Sequence, residues 1–261
     1  MKLSEKIVKE IVEEIDANAQ ANPDPNAQTN PDPNANPDDL YYTKREIYTN
    51  FISLLFNQTG IKEDAVISSI SILSNKSNTK SNTKSNTKSK SNTKSNTKSN
   101  TKSNTKSKPL NYADLETIAF HLSIQMQDLE NQGFSLFFWQ PSDIMILDII
   151  SKQVKQTLYL LANLSQLVPL YTKNLYYLKL VYPAVFPFPK ERCAPELFKL
   201  DALPFITHRS ASYYSLGLLC LWCLTHLCEN LSLEAIQGTK LFYFIDRCVK
   251  KEPSERVILY F

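Results

Sequence analysis

The sequence predicts a mainly α fold of the α+β class, with one small β-hairpin, behind an amphipathic helix and two low-complexity spacers. Three observations carry that expectation. Residues 109–261 are the one long stretch of ordinary globular composition. Within it, apolar residues recur at helical spacing near 112–132, 212–228 and 239–250. Only two short runs, 144–147 and 157–161, read as strands.

Composition narrows the function before any motif is weighed. The 261 residues are 43% hydrophobic and 21% charged, with a formal charge of +3. That positive charge belongs to residues 74–108, which hold ten lysines and no acid; outside them 19 basic residues face 26 acidic ones. A basic nucleic-acid-binding fold is disfavoured, and no specific nucleic acid is expected as a partner. Gly60, Gly133, Gly217 and Gly238 are the only glycines and lie far apart. A phosphate-cradling loop needs clustered glycine so that backbone N–H groups can approach the oxygens. Dinucleotide-binding and Walker-type sites are therefore excluded.

Five cysteines sit mostly in apolar sequence, and the start, Met1-Lys2-Leu3-Ser4-Glu5-Lys6, is charged rather than leader-like. An intracellular compartment, cytoplasmic or nuclear, is expected. The most apolar window, 216–227, is interrupted by Thr225 and His226. It falls short of the roughly 20 residues of a membrane span, so a buried helix is expected and no span.

Residues 1–15 read as a docking helix. Leu3, Ile7, Val8, Ile11, Val12 and Ile15 share a stripe opposite Lys and Glu. A helix of about 13 residues is marginal alone, so it must dock on this chain or on a partner; its own chain is the expected acceptor. Residues 16–39 read as a disordered Asn/Pro/Asp-rich spacer. Pro23, Pro25, Pro31, Pro33 and Pro37 remove donors and bias their neighbours to extended conformations. Over 40–73 a helical pair is expected. Ile47, Phe51, Ile52, Leu54 and Leu55 line the first helix, Gly60 stops it, and Ala65, Val66, Ile70 and Leu73 line the second.

Residues 74–108 contain seven Ser-Asn-Thr-Lys units between Ser77 and Lys106. With nothing apolar to bury they are expected to be disordered. Their lysines suit an acidic partner, although a solvated loop expansion is the plainer reading.

From Asn111 the pattern sharpens. Leu115, Ile118, Ala119, Leu122, Met126 and Leu129 mark a helix that Asn131-Gln132-Gly133 ends. The strand-like runs follow, then a Pro- and Tyr-rich segment expected to be irregular up to Cys193. After it come Ala194-Pro195-Glu196-Leu197, the apolar helix, a further helix and Pro253-Ser254-Glu255-Arg256.

This order resembles the C-terminal lobe of a eukaryotic-type protein kinase over essentially 110–261, without a recognisable N-lobe. Cys193-Ala194-Pro195-Glu196-Leu197 resembles the Ala-Pro-Glu segment that closes the activation loop. Tyr214-Ser215-Leu216-Gly217 resembles the start of the central helix, and Arg247 to Arg256 the C-terminal Cys-Leu and Asp-Pro-x-x-Arg pattern. Trp139-Gln140-Pro141-Ser142-Asp143-Ile144-Met145-Ile146-Leu147 resembles the end of the catalytic loop. The whole is similar to the degenerate kinase-like proteins of large DNA viruses.

The resemblance implies that the fold is kept and the reaction lost. Phosphoryl transfer needs a carboxylate for the nucleophile, magnesium ligands, a lysine and a glycine-rich cover. In register with Pro141, the family's His-Arg-Asp falls on Leu136, Phe137 and Phe138, so the base position holds Phe138. The loop lysine becomes Gln140, and Asp-Phe-Gly becomes Asn163-Leu164-Ser165. Asp143 stands at the family's magnesium-binding Asn, so Asp143 and Asn163 are the one conceivable Mg-nucleotide remnant. Their plain reading is as turn residues. Glu196 and Arg256 are both present, and the resemblance implies that they pair as a structural ion pair. The family's helix acid becomes Ser212.

Other constellations weigh less. Cys220, Cys223, His226 and Cys228 have zinc-like residue types, but a single helix cannot converge four tetrahedral ligands; buried small hydrophobes are the default for Cys. His121 and His208 lack an evident catalytic companion. The aromatic stretch with Tyr176, Tyr177, Tyr182, Phe186 and Phe188 reads equally as packed segment or as partner surface.

The expected function is that of a pseudokinase: a non-catalytic scaffold or decoy for a protein partner such as a kinase or its regulator, needing no cofactor. The alternative is a divergent serine/threonine kinase or ATP-binding protein that uses Mg-ATP. A second alternative is an adaptor that holds acidic partners through the Lys-rich repeats.

Overall fold

The computed structural model describes residues 3–21, 37–62, 65–73, 109–136, 138–164, 167–172, 175–178, 190–198, 205–229 and 231–258. Residues 22–36 and 74–108, most of the two expected spacers, lie outside that set. So do Phe137, Ser165, Tyr182, Phe186 and Phe188.

The chain opens with α1 (Leu3–Ala21) packed on α2 (Pro37–Thr59). Ile7, Val8, Ile11 and Val12 of α1 are buried with Ile47, Tyr48, Phe51, Ile52 and Leu55 of α2. Those four residues of the α1 stripe are thus covered by this chain. The helices reach further than their apolar stripes: 16–21 continue α1 and Pro37-Asp38-Asp39 open α2, where a spacer over 16–39 was expected. Ala-Asn-Ala-Gln-Ala contains no breaker before Pro23, and alanine is the best helix former. Pro37 takes the first helical position, where its missing N–H costs nothing. Gly60, at φ 68°, ends α2 in the left-handed conformation.

Where a second helix was expected, residues Val66–Ile72 form a strand, β1. Val-Ile-Ser-Ser-Ile-Ser-Ile is poor in helix formers and rich in β-branched residues, and it finds a partner strand. β1 pairs antiparallel with β3 (Ile144–Ser151), which pairs antiparallel with β4 (Val154–Leu161). The β3–β4 hairpin is longer than its two apolar runs indicate. It turns at Lys152-Gln153, whose φ values of 48° and 67° match a two-residue primed turn.

Helix α3 (Tyr112–Asn131) starts with a capping box: Asp114 N donates to Asn111 Oδ1 (3.0 Å) and Asn111 N to Asp114 Oδ2 (2.9 Å). It packs along β4. A second antiparallel sheet follows, ordered β2 (Phe134–Leu136), β5 (Leu167–Thr172), β6 (Leu175–Leu178) and β7 (Phe205–His208). It replaces part of the segment expected to be irregular. The prolines there read as breakers, yet Leu, Val and Tyr supply strand-forming side chains, and Pro169 pairs with Phe134 inside β5. The single small hairpin of the sequence reading is therefore two sheets, and the class is α+β with helix the larger part.

Helix α4 (Ala211–His226) is apolar nearly all round and crosses α5 (Lys240–Cys248) at Gly217. Thr239 caps α5, its Oγ1 accepting from Phe242 N. Among the described residues no helix is long and apolar enough to cross a membrane.

Candidate functional site

Residues 138–140 form a loop that leads into a 3-10 turn at Pro141–Asp143, which feeds β3. Phe138 on this loop is 4% exposed. It sits in a small apolar cluster with Val168, Cys193, Ala194, Leu197 and Ala211. A catalytic base needs a group that accepts a proton within hydrogen-bond reach of substrate; where the resemblance puts that base, the chain has a buried aromatic ring. The loop is anchored from beneath by Trp139 N, which donates to Ser215 Oγ of α4 at 2.6 Å. Ser212, where the resemblance puts an acid, donates to Arg209 O at 2.8 Å.

Asp143 and Asn163, far apart in sequence, meet in space. Asn163 Nδ2 and Gln140 Nε2 each donate to Asp143 Oδ1 at 3.1 Å. Asp143 N donates to Gln140 O, and Asp143 O accepts from Ala162 N. The side chain is thus held between the 3-10 turn and the end of β4. Burial pushes the Asp143 carboxyl up to about 6; the Asn163 and Gln140 hydrogen bonds and the Arg192 charge oppose that rise. Magnesium wants several oxygen ligands around it. Here Asp143 Oδ1 accepts from two amide N–H groups and Asn163 presents its nitrogen, so Asp143 Oδ2 is the one oxygen the pair could turn toward a cation. One oxygen falls short of the several that magnesium takes, so these residues do not fit a Mg²⁺ site.

The hairpin beneath the site is also covered. Tyr48 Oη donates to Ala162 O at 2.6 Å, and Gln156 Nε2 donates to Thr59 O at 3.4 Å. These contacts lay α2 lengthwise along β4, in the opposite direction. Phe51, Ile52 and Leu55 between them share one core with Met145, Leu147, Leu158 and Leu160. Burying several such side chains contributes roughly 1.5–3 kcal/mol each, so α2 is an integral layer of the fold.

Glu196 and Arg256 are joined as the resemblance implies. Arg256 Nη2 donates to Glu196 Oε2 at 2.8 Å and Nη1 to Oε1 at 2.5 Å. The arginine side chain is fully buried, and the glutamate side chain 19% exposed.

The cysteine and histidine set on α4 does not converge. Cys220 and Cys223 are buried, whereas His226 is exposed, stacked on Trp222 and bonded to Thr225 and the Trp222 carbonyl. Burial raises the thiols of Cys220 and Cys223 above the ordinary value and Cys193 and Cys248 to about 12. His208 Nδ1 lies 2.7 Å from Ser210 Oγ, which donates to Pro253 O.

Three arrangements escape sequence reasoning. His121 and Gln125 of α3 bond the outer edge of β4: Tyr159 N donates to His121 Nδ1, Gln125 Nε2 to Tyr159 O, and Leu161 N to Gln125 Oε1. The signal was two polar residues four apart inside an apolar helical stripe. Arg192 lies over the Trp222 ring at 5.6 Å. Glu130 Oε2 takes both Arg209 (3.0 Å) and Tyr213 Oη (2.8 Å), tying the end of α3 to the start of α4.

No protein-family model matches this sequence, and no curated protein matches it.

Proposed function

We propose that the chain is a non-catalytic, kinase-like protein that acts as a scaffold or decoy toward a protein partner. The observation that carries this reading is the site around Phe138. The position the resemblance assigns to the base is an apolar plug, and Asp143 Oδ1 is taken up by two side-chain amides. The covering of the β3–β4 hairpin by α2 supports it further, because α2 side chains occupy its apolar face. In contrast, the Glu196–Arg256 pair and the buried central helix are intact.

The test is transfer of labelled phosphate from Mg-ATP to a generic protein substrate by the full chain. Incorporation at the level of a heat-denatured control is expected. Incorporation that Asp143→Ala abolishes would establish the kinase alternative. Deleting 74–108 distinguishes the adaptor alternative: partner capture survives the deletion if the folded part does the binding.

A further inference from the structure

The two edges of the three-stranded sheet are treated differently. In an antiparallel ladder, alternate residues turn both backbone groups toward one neighbour and the next residue turns them away. Across β3–β4 this leaves Tyr159 and Leu161 pointing outward, and His121 and Gln125 satisfy those groups. Leu73 N donates to Ile144 O, which fixes the phase on the other side. Ser69 and Ser71 turn their backbone groups to β3, and Ile70 and Ile72 turn theirs outward. Among the described residues nothing takes those outward N–H and C=O groups.

The β1 edge also lacks the devices that keep edges single. Strand 66–72 carries no charge and no proline, and Val66, Ser68, Ser69 and Ser71 are exposed. Its one irregularity lies between Ile67 and Ser69, so 69–73 is regular. Ile150, 42% exposed, stands beside Val66, 61% exposed, on the outer face that also carries Ser69, Ser71 and Asp148.

We propose that β1 is a self-pairing edge and that the chain forms a two-fold dimer through it. With the axis at Ser71, Ile70 of one copy lies opposite Ile72 of the other, and each such pair exchanges its outward backbone hydrogen bonds. Ser71 then faces Ser71 in the close, non-hydrogen-bonded position. An uncharged strand meets its own copy with no like charges opposed. The Ser-Asn-Thr-Lys tract leaves from the end of β1 but has no apolar side chain to set against Ile70 and Ile72, so it is the poorer occupant. Pairing consumes the β1 edge, and α3 seals the β4 edge, so the assembly closes at two copies. This inference goes beyond the function proposed above and does not depend on it.

The test is sedimentation velocity on the full chain, with S71K, S71E and their equimolar mixture. Each variant should keep the wild-type far-UV circular dichroism, because Ser71 is exposed. The wild type is expected to sediment as a dimer, each variant as a monomer, and the mixture as a dimer again. A monomeric wild type, a dimer that S71K leaves intact, or a mixture that stays monomeric would overturn the proposal.

Discussion

Arg256 binds Glu196 through both terminal nitrogens and has no donor left over. Its Nε donates to Lys250 O (2.7 Å), Nη1 also reaches Ser210 O (3.3 Å), and Nη2 also reaches Lys251 O (2.8 Å). All the guanidinium N–H groups are thereby used, and the group lies 4.8 Å from the Tyr214 ring centroid. One buried cation ties the 195–198 turn, the start of α4 and the segment after α5. Removing the carboxylate strands that cation.

Glu196→Ala is expected to cost about 3–5 kcal/mol, the range for breaking a buried pair by deleting one partner. Equilibrium urea unfolding measures it. An unchanged midpoint would mean that the pair holds nothing together.

Two buried groups titrate with opposite sign. Burial raises the folded Asp143 value to about 6 from 3.8, so its contribution is full below the unfolded value and is lost as pH rises through 6. Burial lowers folded His121 to about 4 from 6.5, so its contribution is full above 6.5 and is lost as pH falls through 4. Each swing is of order 3 kcal/mol at most. Asp143→Asn is expected to gain stability over wild type as pH rises from about 4 to 7, by about 1–3 kcal/mol. His121→Gln gains instead toward acid. Urea unfolding across that range checks both, and parallel profiles for all three proteins would contradict the assignments.

Gln125→Leu keeps the volume but leaves the Tyr159 carbonyl and the Leu161 N–H of β4 unpaired. Each buried unsatisfied group costs roughly 1–3 kcal/mol, so a loss of about 2–4 kcal/mol is expected. Amide exchange should quicken at Leu161 and leave Leu158, bonded within the hairpin, nearer to the global rate.

Gly217→Ala tests the crossing of α4 and α5. A methyl there would stand 2.8 Å from Cys248 Cβ and from Val249 Cγ1. Alanine adds up to about 1 kcal/mol of helix propensity, whereas overpacking costs typically 1–3 kcal/mol. A net loss in melting temperature is expected, and a gain would mean that the helices part without penalty.

What the sequence made legible follows from where each signal resides. Helices α1, α3 and α4 announce themselves because their apolar residues recur locally. No local signal marks the Asp143–Asn163 meeting or the Glu196–Arg256 pair; only the resemblance to a kinase lobe set those residues beside each other. The β1 strand was not legible. Ala65, Val66, Ile70 and Leu73 fit a helical stripe loosely, and only the partner strand β3, some 79 residues on at the Ser69–Asp148 contact, decides for the strand. The second sheet was hidden because prolines and tyrosines suggest irregular chain until the strands find each other. His121 and Gln125 read as misplaced polar residues on an apolar face. Their purpose appears only when the unpaired edge of β4 is beside them.

The central claim is that the site around Phe138 and Asp143 is closed to nucleotide. Calorimetric titration of the full chain with Mg-ATP tests it most directly. No saturable heat is predicted, and the melting temperature should not move with nucleotide concentration. Saturable binding that Asp143→Ala removes would contradict it.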